Sequence, residues 1–137
     1  MPVLKLSADG GARPNPGAAA IGVVVFGEHE NVICEVSHYL GEATSNVAEW
    51  TALVVGLEVA TQIGAGELHI RMDSQLVVRQ LKGEYEVRDA KLAPLARRAK
   101  ELLRRIAKWK VEHVPRKQNP RADALVNLAR DRRAKGQ

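Results

Sequence analysis

Apolar residues recur along this chain at two spacings, and the changes from one spacing to the other mark out its elements. Val3, Leu4 and Leu6 begin a strand that runs into Asp9, and the glycine- and proline-rich residues 10–17 read as a loop. Residues 18–26 are an apolar, β-branched run expected to be a buried strand. Residues 27–31 read as a hairpin connection, and residues 31–40 as a third strand with Val32, Cys34 and Val36 on one face. From Ser45 the period becomes helical, through Val47, Trp50, Leu53, Val54, Leu57 and Ala60, with Thr44 or Ser45 as cap and Gly64 and Gly66 as the end. Alternation returns in residues 67–72, where Leu68, Ile70 and Met72 share a side and Asp73 closes the strand.

A helix is expected over 74–81 and a longer one over 92–106, with Pro94 in its first turn, the one place it is tolerated. Residues 109–114 read as a last strand, and residues 120–133 as a last helix capped by Asn119. The order βββαβααβα predicts an α/β three-layer fold. Its sheet would be a mixed five-stranded one, an antiparallel meander joined by parallel strands and flanked by helices.

Composition narrows the function. A chain of 137 residues supports one core, so residues 1–137 are expected to form a single domain. No apolar run nears the roughly 20 residues of a membrane span, Cys34 is the only cysteine, and the N-terminus does not resemble a secretory signal. A cytoplasmic protein is expected, with no membrane association and no obligate protein partner. The net charge of +5 suggests a polyanionic partner. The charge gathers in the last third, in one run (Lys91, Arg97, Arg98, Lys100, Arg104, Arg105, Lys108, Lys110) and another (Arg116, Lys117, Arg121, Arg130, Arg132, Arg133, Lys135). The first run also suits a solvated helix face. Aromatic residues are only 4% of the chain, too few to stack successive bases of a single strand.

Four acids stand where function collects in α/β sheets. Asp9 and Asp73 close strands, Glu49 precedes core Trp50 on its helix, and Asp123 lies in the first turns of the last helix. Taken singly, Asp9 and Asp73 also suit ordinary strand-end or capping residues, and Asp123 a helix dipole. Taken together they offer hard oxygen ligands for Mg²⁺ or Mn²⁺, and no cysteine or histidine pair has zinc spacing. Two such ions about 4 Å apart can activate water and stabilise the leaving oxygen of a phosphodiester.

The motifs Asp9-Gly10-Gly11-Ala12-Arg13-Pro14-Asn15-Pro16-Gly17 with Gly22, Thr44-Ser45-Asn46-Val47-Ala48-Glu49, Asp73-Ser74-Gln75 and Asn119-Pro120-Arg121-Ala122-Asp123 follow one another in order. Through them the chain resembles a type 1 ribonuclease H from end to end, in the short form of archaeal and some bacterial members. The resemblance implies an endonuclease that hydrolyses the RNA strand of RNA/DNA hybrids, with two Mg²⁺ or Mn²⁺ ions held by Asp9, Glu49, Asp73 and Asp123. It further implies that Asn15, Asn46 and Gln75 contact the hybrid's minor groove, where the 2′-OH marks RNA, and that Thr44 holds a DNA phosphate. Asn15 also suits a turn, and Asn46 a helix cap.

The chain departs from many bacterial members in two places. Residues 82–89 join the central helices directly, without the basic, tryptophan-rich handle, whose place the run from Lys91 to Lys110 is expected to take. The loop at 114–119 lacks the histidine usual there. Arg116 is the expected stand-in, as in archaeal members, while His113 alternates with Val111 and Trp109 and is expected to be structural. His29, His38 and His69 receive no role.

Two rivals remain: a resolvase- or integrase-like nuclease of the same superfamily, against which Asn15, Asn46 and Gln75 argue, and a non-catalytic hybrid-binding module, against which four retained carboxylates argue. Activity on double-stranded RNA is left open by the sequence.

Overall fold

The computed structural model describes residues 2–134 and Gly136, so Lys135 of the second basic run lies outside the described residues. Three strands, β1 (Val3–Arg13), β2 (Gly17–Phe26) and β3 (Val32–Ala43), lead into α1 (Ser45–Ile63). Next come β4 (Glu67–Met72), α2 (Gln75–Leu81), α3 (Ala93–Leu103) and β5 (Lys108–His113). A 3₁₀ turn at Arg116–Gln118 precedes α4 (Pro120–Ala134). The strands form one sheet in the order β3-β2-β1-β4-β5. β1 and β3 pair antiparallel with β2, while β4 pairs parallel with both β1 and β5, as the element order requires. No helix among the described residues is long and apolar enough to cross a membrane.

Alternation along β1 assigns the two faces. Leu4, Leu6 and Ala8 are buried on one side, where a Cβ on Gly56 of α1 would meet Leu6. The core fills this face with Ile21, Val23 and Val25 of β2, Trp50, Leu53 and Leu57 of α1, and Leu68, Ile70 and Met72 of β4. Trp50 is held in register by its indole N–H, which donates to Gln80 Oε1 on α2 at 2.9 Å. On the other face, α4 seats Val126 and Ala129 against Ala20. Gly22 lets it come close, since a Cβ there would lie 2.1 Å from the Ala122 carbonyl oxygen.

The structure moves several expected boundaries. The expected loop at 10–17 is mostly strand, for β1 continues through Gly10 and Gly11 to Arg13 and β2 starts at Gly17. Only Pro14, Asn15 and Pro16 form the turn. Gly10 serves packing: a Cβ there would stand 2.4 Å from the Ala48 backbone of α1. In β3, Cys34 and Val36 pack on the core as expected, but Val32 is exposed, because a register shift pairs Val25 with Cys34 and Phe26 with Val32. α3 ends at Leu103, short of the expected residue 106, and Pro94 does lie in its first turn.

Candidate active site

β4 stops at Met72, which pairs with Ala8, whereas β1 runs on for five more residues. Beyond Met72, Asp9 therefore has β2 on one side and no parallel neighbour on the other. Carboxylates from three elements meet at this open corner. Asp9 comes from β1, Asp73 follows the end of β4, and Glu49 comes from the second turn of α1. Each offers an oxygen, and these oxygens all lie within 4.8 Å of one another.

Their crowding shows in their protonation. Asp9 is 2% exposed and its Oδ2 faces no hydrogen-bond partner. Burial, then the neighbouring charges of Asp73 and Asp123, push its carboxyl up from 3.8 to about 8. Burial pushes Glu49 up to about 7, against the opposing effect of a hydrogen bond from Ser74. The Ser74 hydroxyl also accepts the Val77 N–H as the cap of α2, at 3.3 Å, so one side chain positions both the helix and Glu49. A buried carboxylate with an unpartnered oxygen, set beside two half-buried ones, forms a hard-oxygen donor set that a divalent cation would neutralise, so the residues fit such a metal.

Asp123, on the first turn of α4, does not belong to that tight cluster. It is tied to it through Arg116, whose Nη2 lies 3.3 Å from Asp123 Oδ1 and whose Nε lies 3.7 Å from Asp73 Oδ2. The 3₁₀ turn thus carries Arg116 to the acids, as its position in sequence suggested, and leaves its side chain 65% exposed. His113 departs from expectation. It is exposed at the end of an edge strand, and its Nε2 lies 3.2 Å from the Asp73 carbonyl oxygen. Trp109, expected to be packed, is 37% exposed, and of the three alternating residues only Val111 is buried. An edge strand has a neighbour on one side only, so alternation there does not ensure cover. Asn119 stands at the expected cap position, its carbonyl accepting the Asp123 N–H at 3.2 Å, but its side-chain amide reaches across to donate to the Ala8 carbonyl at 3.2 Å and its Oδ1 is buried without a donor, so the side chain fastens the last loop to β1.

The expected substrate contacts gather around the start of α1. Thr44 Oγ1 accepts the Val47 N–H at 3.1 Å, which settles the choice of cap. Asn15 Oδ1 accepts the Ser45 N–H at 3.0 Å, and Ser45 Oγ accepts the Ala12 N–H at 3.1 Å, so the β1–β2 turn is bound to the helix N-terminus. Asn46 is exposed one turn before Glu49, and Gln75 is exposed two residues after Asp73. Within the basic runs, Arg97, Arg104 and Arg105 are exposed, whereas Arg98 is paired with Glu58 and Glu101, and Arg121 with Glu35.

Sequence reasoning counted Arg130 only as part of a basic run. It stands seven residues after Asp123 on the same side of α4, with Nη1 3.6 Å from where a Gly11 Cβ would be. That i, i+7 spacing was the available signal.

Comparison with known proteins agrees with this geometry. Residues 7–129 match the family model described as "Reverse transcriptase-like". The chain is 43% identical over 123 residues to the ribonuclease HI of Halobacterium salinarum, covering 90% of this chain and 62% of that protein. It thus spans less than two thirds of the halobacterial protein and 35% of a mycobacterial bifunctional protein that it matches at 42% identity. Among solved structures, the N-terminal RNase H domain of that Mycobacterium tuberculosis protein superposes with a TM-score of 0.91 at 40% identity, covering 93% of this chain and 98% of that one. A second, LC11-RNase H1 in complex with an RNA/DNA hybrid, gives 0.90 at 40% identity, with 96% and 99% covered.

Proposed function

Because this chain belongs to the type 1 ribonuclease H family, we propose that it is an endonuclease that hydrolyses the RNA strand of RNA/DNA hybrids. The observation that carries the reading is the set of three carboxylate oxygens within 4.8 Å at the corner where β4 stops. Asp9, Glu49 and Asp73, with Asp123 from α4, would hold two divalent ions, Mg²⁺ or Mn²⁺. When bound, such ions supply Lewis-acid stabilisation of a phosphodiester undergoing in-line displacement by water.

The chain's own residues do the rest. Thr44, Asn15, Asn46 and Gln75 line the approach to the acids and orient the hybrid. The turn Pro14–Pro16 is braced by Ser45, so Asn15 meets a minor groove as part of a rigid surface. Arg116 sits between Asp73 and Asp123 and is permanently charged, so its part is to attract and release the phosphate and not to accept a proton. Exposed Arg97 of α3, with Arg104 and Arg105 just past its end, offers a second surface to the backbone. Two readings compete: a hybrid-binding module without chemistry, and a resolvase- or integrase-like nuclease of the same superfamily that cuts DNA.

Labelled RNA/DNA, RNA/RNA and DNA/DNA duplexes incubated with Mg²⁺ or Mn²⁺ separate these readings. Cleavage of the RNA in the hybrid, abolished by chelator and by Asp73→Asn, is expected. Binding without cutting would establish the module, and cutting of DNA alone would establish the other nuclease. The RNA/RNA lane decides whether double-stranded RNA is also a substrate.

A further inference from the structure

β1 presents Asp9, Gly11 and Arg13 on the face covered by α4, since alternate residues of a strand point the same way. Gly11 leaves room between the other two, and Arg130 of α4 occupies it, its Nη1 3.6 Å from the position of the missing Cβ. The guanidinium is fixed there by Asn127, whose Oδ1 accepts from Nη2 at 2.7 Å. No carboxylate forms a salt bridge with Arg130 or Arg13 among the described residues, although Lys5, Arg71, Arg98, Arg116 and Arg121 all have one.

Arg130 is half-buried, while Arg13 is exposed at the end of the strand. Burial, and next the repulsion of Arg13, lower the pKa of Arg130 against the opposing charges of Asp123 and Asp9, so a half-buried cation is held beside a like charge. Two guanidinium groups that share a face, neither held in a salt bridge among the described residues, suit an anion supplied from outside. The distance along β1 from Asp9 to Gly11 is about 7 Å, a span that one nucleotide of a backbone covers.

Building on the function proposed above, we propose that Arg130 and Arg13 grip a backbone phosphate of the RNA strand, one nucleotide from the phosphodiester that is cut. The pair would fix the strand's register on the α4 side of the acids. Arg130 is then a substrate-positioning residue, and the glycine at position 11 is the space it needs.

The test uses hybrids in which one RNA linkage at a time is an uncharged methylphosphonate on a 2′-O-methyl nucleotide, with 2′-O-methyl alone as control. Binding is measured in the non-cutting Asp73→Asn background, with and without Arg130→Gln or Arg13→Gln. Removing either arginine should weaken binding of the unmodified hybrid about tenfold and lower the slope of log affinity against log salt by about 0.9. At one linkage beside the cut phosphate, the methylphosphonate should weaken the parent but not either variant. Arg13 is exposed, so its variant reads out even if loss of Arg130 disturbs folding. If every linkage stays equally sensitive in both variants, the grip does not exist and Arg130 only offsets the acids. Unmodified hybrid is given to the unsubstituted protein in parallel: failure to cut it overturns the proposed function, while cutting without the linkage-specific loss overturns this inference alone.

Discussion

Replacing Asp9 with Asn should abolish cleavage and yet stabilise the metal-free protein at neutral pH. The carboxyl is pushed up from 3.8 to about 8 by burial and by Asp73 and Asp123. A group whose folded pKa is raised favours folding most below its unfolded pKa, and this advantage is lost as pH rises through the folded value. Between pH 4 and 7 the folded state therefore loses about 1.4 kcal/mol per pH unit from this group, which sums to about 4 kcal/mol at most. An amide carries no charge to desolvate, and it offers N–H donors toward Asp73. It retains a buried polar group that is only partly satisfied, so the net gain at pH 7 should be on the order of 2–3 kcal/mol.

For a chain of this size that is roughly 4 °C per kcal/mol, or a rise of about 8–12 °C in the thermal midpoint. Calorimetry in chelator at pH 4.5, 6, 7 and 8 reads it as the difference between Asp9→Asn and the parent. That difference should be small at pH 4.5 and widen with pH, while groups away from the acidic cluster cancel. Mg²⁺ should raise the parent's midpoint at pH 7 far more than the variant's. A pH-independent difference, or a variant less stable than the parent at pH 7, would refute the claim that charge crowding at Asp9 strains the metal-free site.

Other substitutions probe other parts of the structure. Asp73→Asn should retain the circular dichroism of the parent and lose nearly all cleavage, because an amide cannot hold a divalent ion as a carboxylate does. Arg116→Ala should lower kcat more than it raises KM, whereas His113→Ala, exposed on its edge strand, should change stability by less than about 0.5 kcal/mol; kinetics and thermal melts on both variants decide the division of roles. Gln80→Leu leaves the Trp50 indole N–H buried without its acceptor and should cost about 1–3 kcal/mol in urea unfolding. Gly22→Ala should cost a similar 1–3 kcal/mol through its clash with the Ala122 carbonyl, and it should also depress cleavage by displacing Asp123 on α4.

Much of this was legible because local chemistry and tertiary packing agree. The β4 alternation that buries Leu68, Ile70 and Met72, the capping by Thr44 and the helical period from Val47 to Ala60 all describe what those residues do in the fold. The misreadings arise where a residue serves a distant neighbour. Gly10 and Gly11 look like turn formers, but one admits α1 and the other admits Arg130, neither of which is close in sequence. Asn119 looks like a cap, but its amide is spent on Ala8, 111 residues earlier. His113 alternates with an apolar residue, yet an edge strand left it exposed. Arg130 carries no motif at all, and its importance becomes visible only once α4 is laid across β1.

The mismatch in length between β1 and β4 has a consequence for how this site could be changed. Where β1 and β4 are paired, the sheet is a wall between its two helical layers. Beyond Met72 the wall has a missing brick, and there Glu49 of α1 meets Asp9 and Asp73 while Arg116 ties Asp123 of α4 to Asp73. The location of the chemistry is therefore encoded in where a strand stops and not in which residues are acidic. Grafting the same acids elsewhere along β1 would give carboxylates separated by backbone. Extending β4 by two paired residues would seal the breach and silence the protein with all four acids still in place.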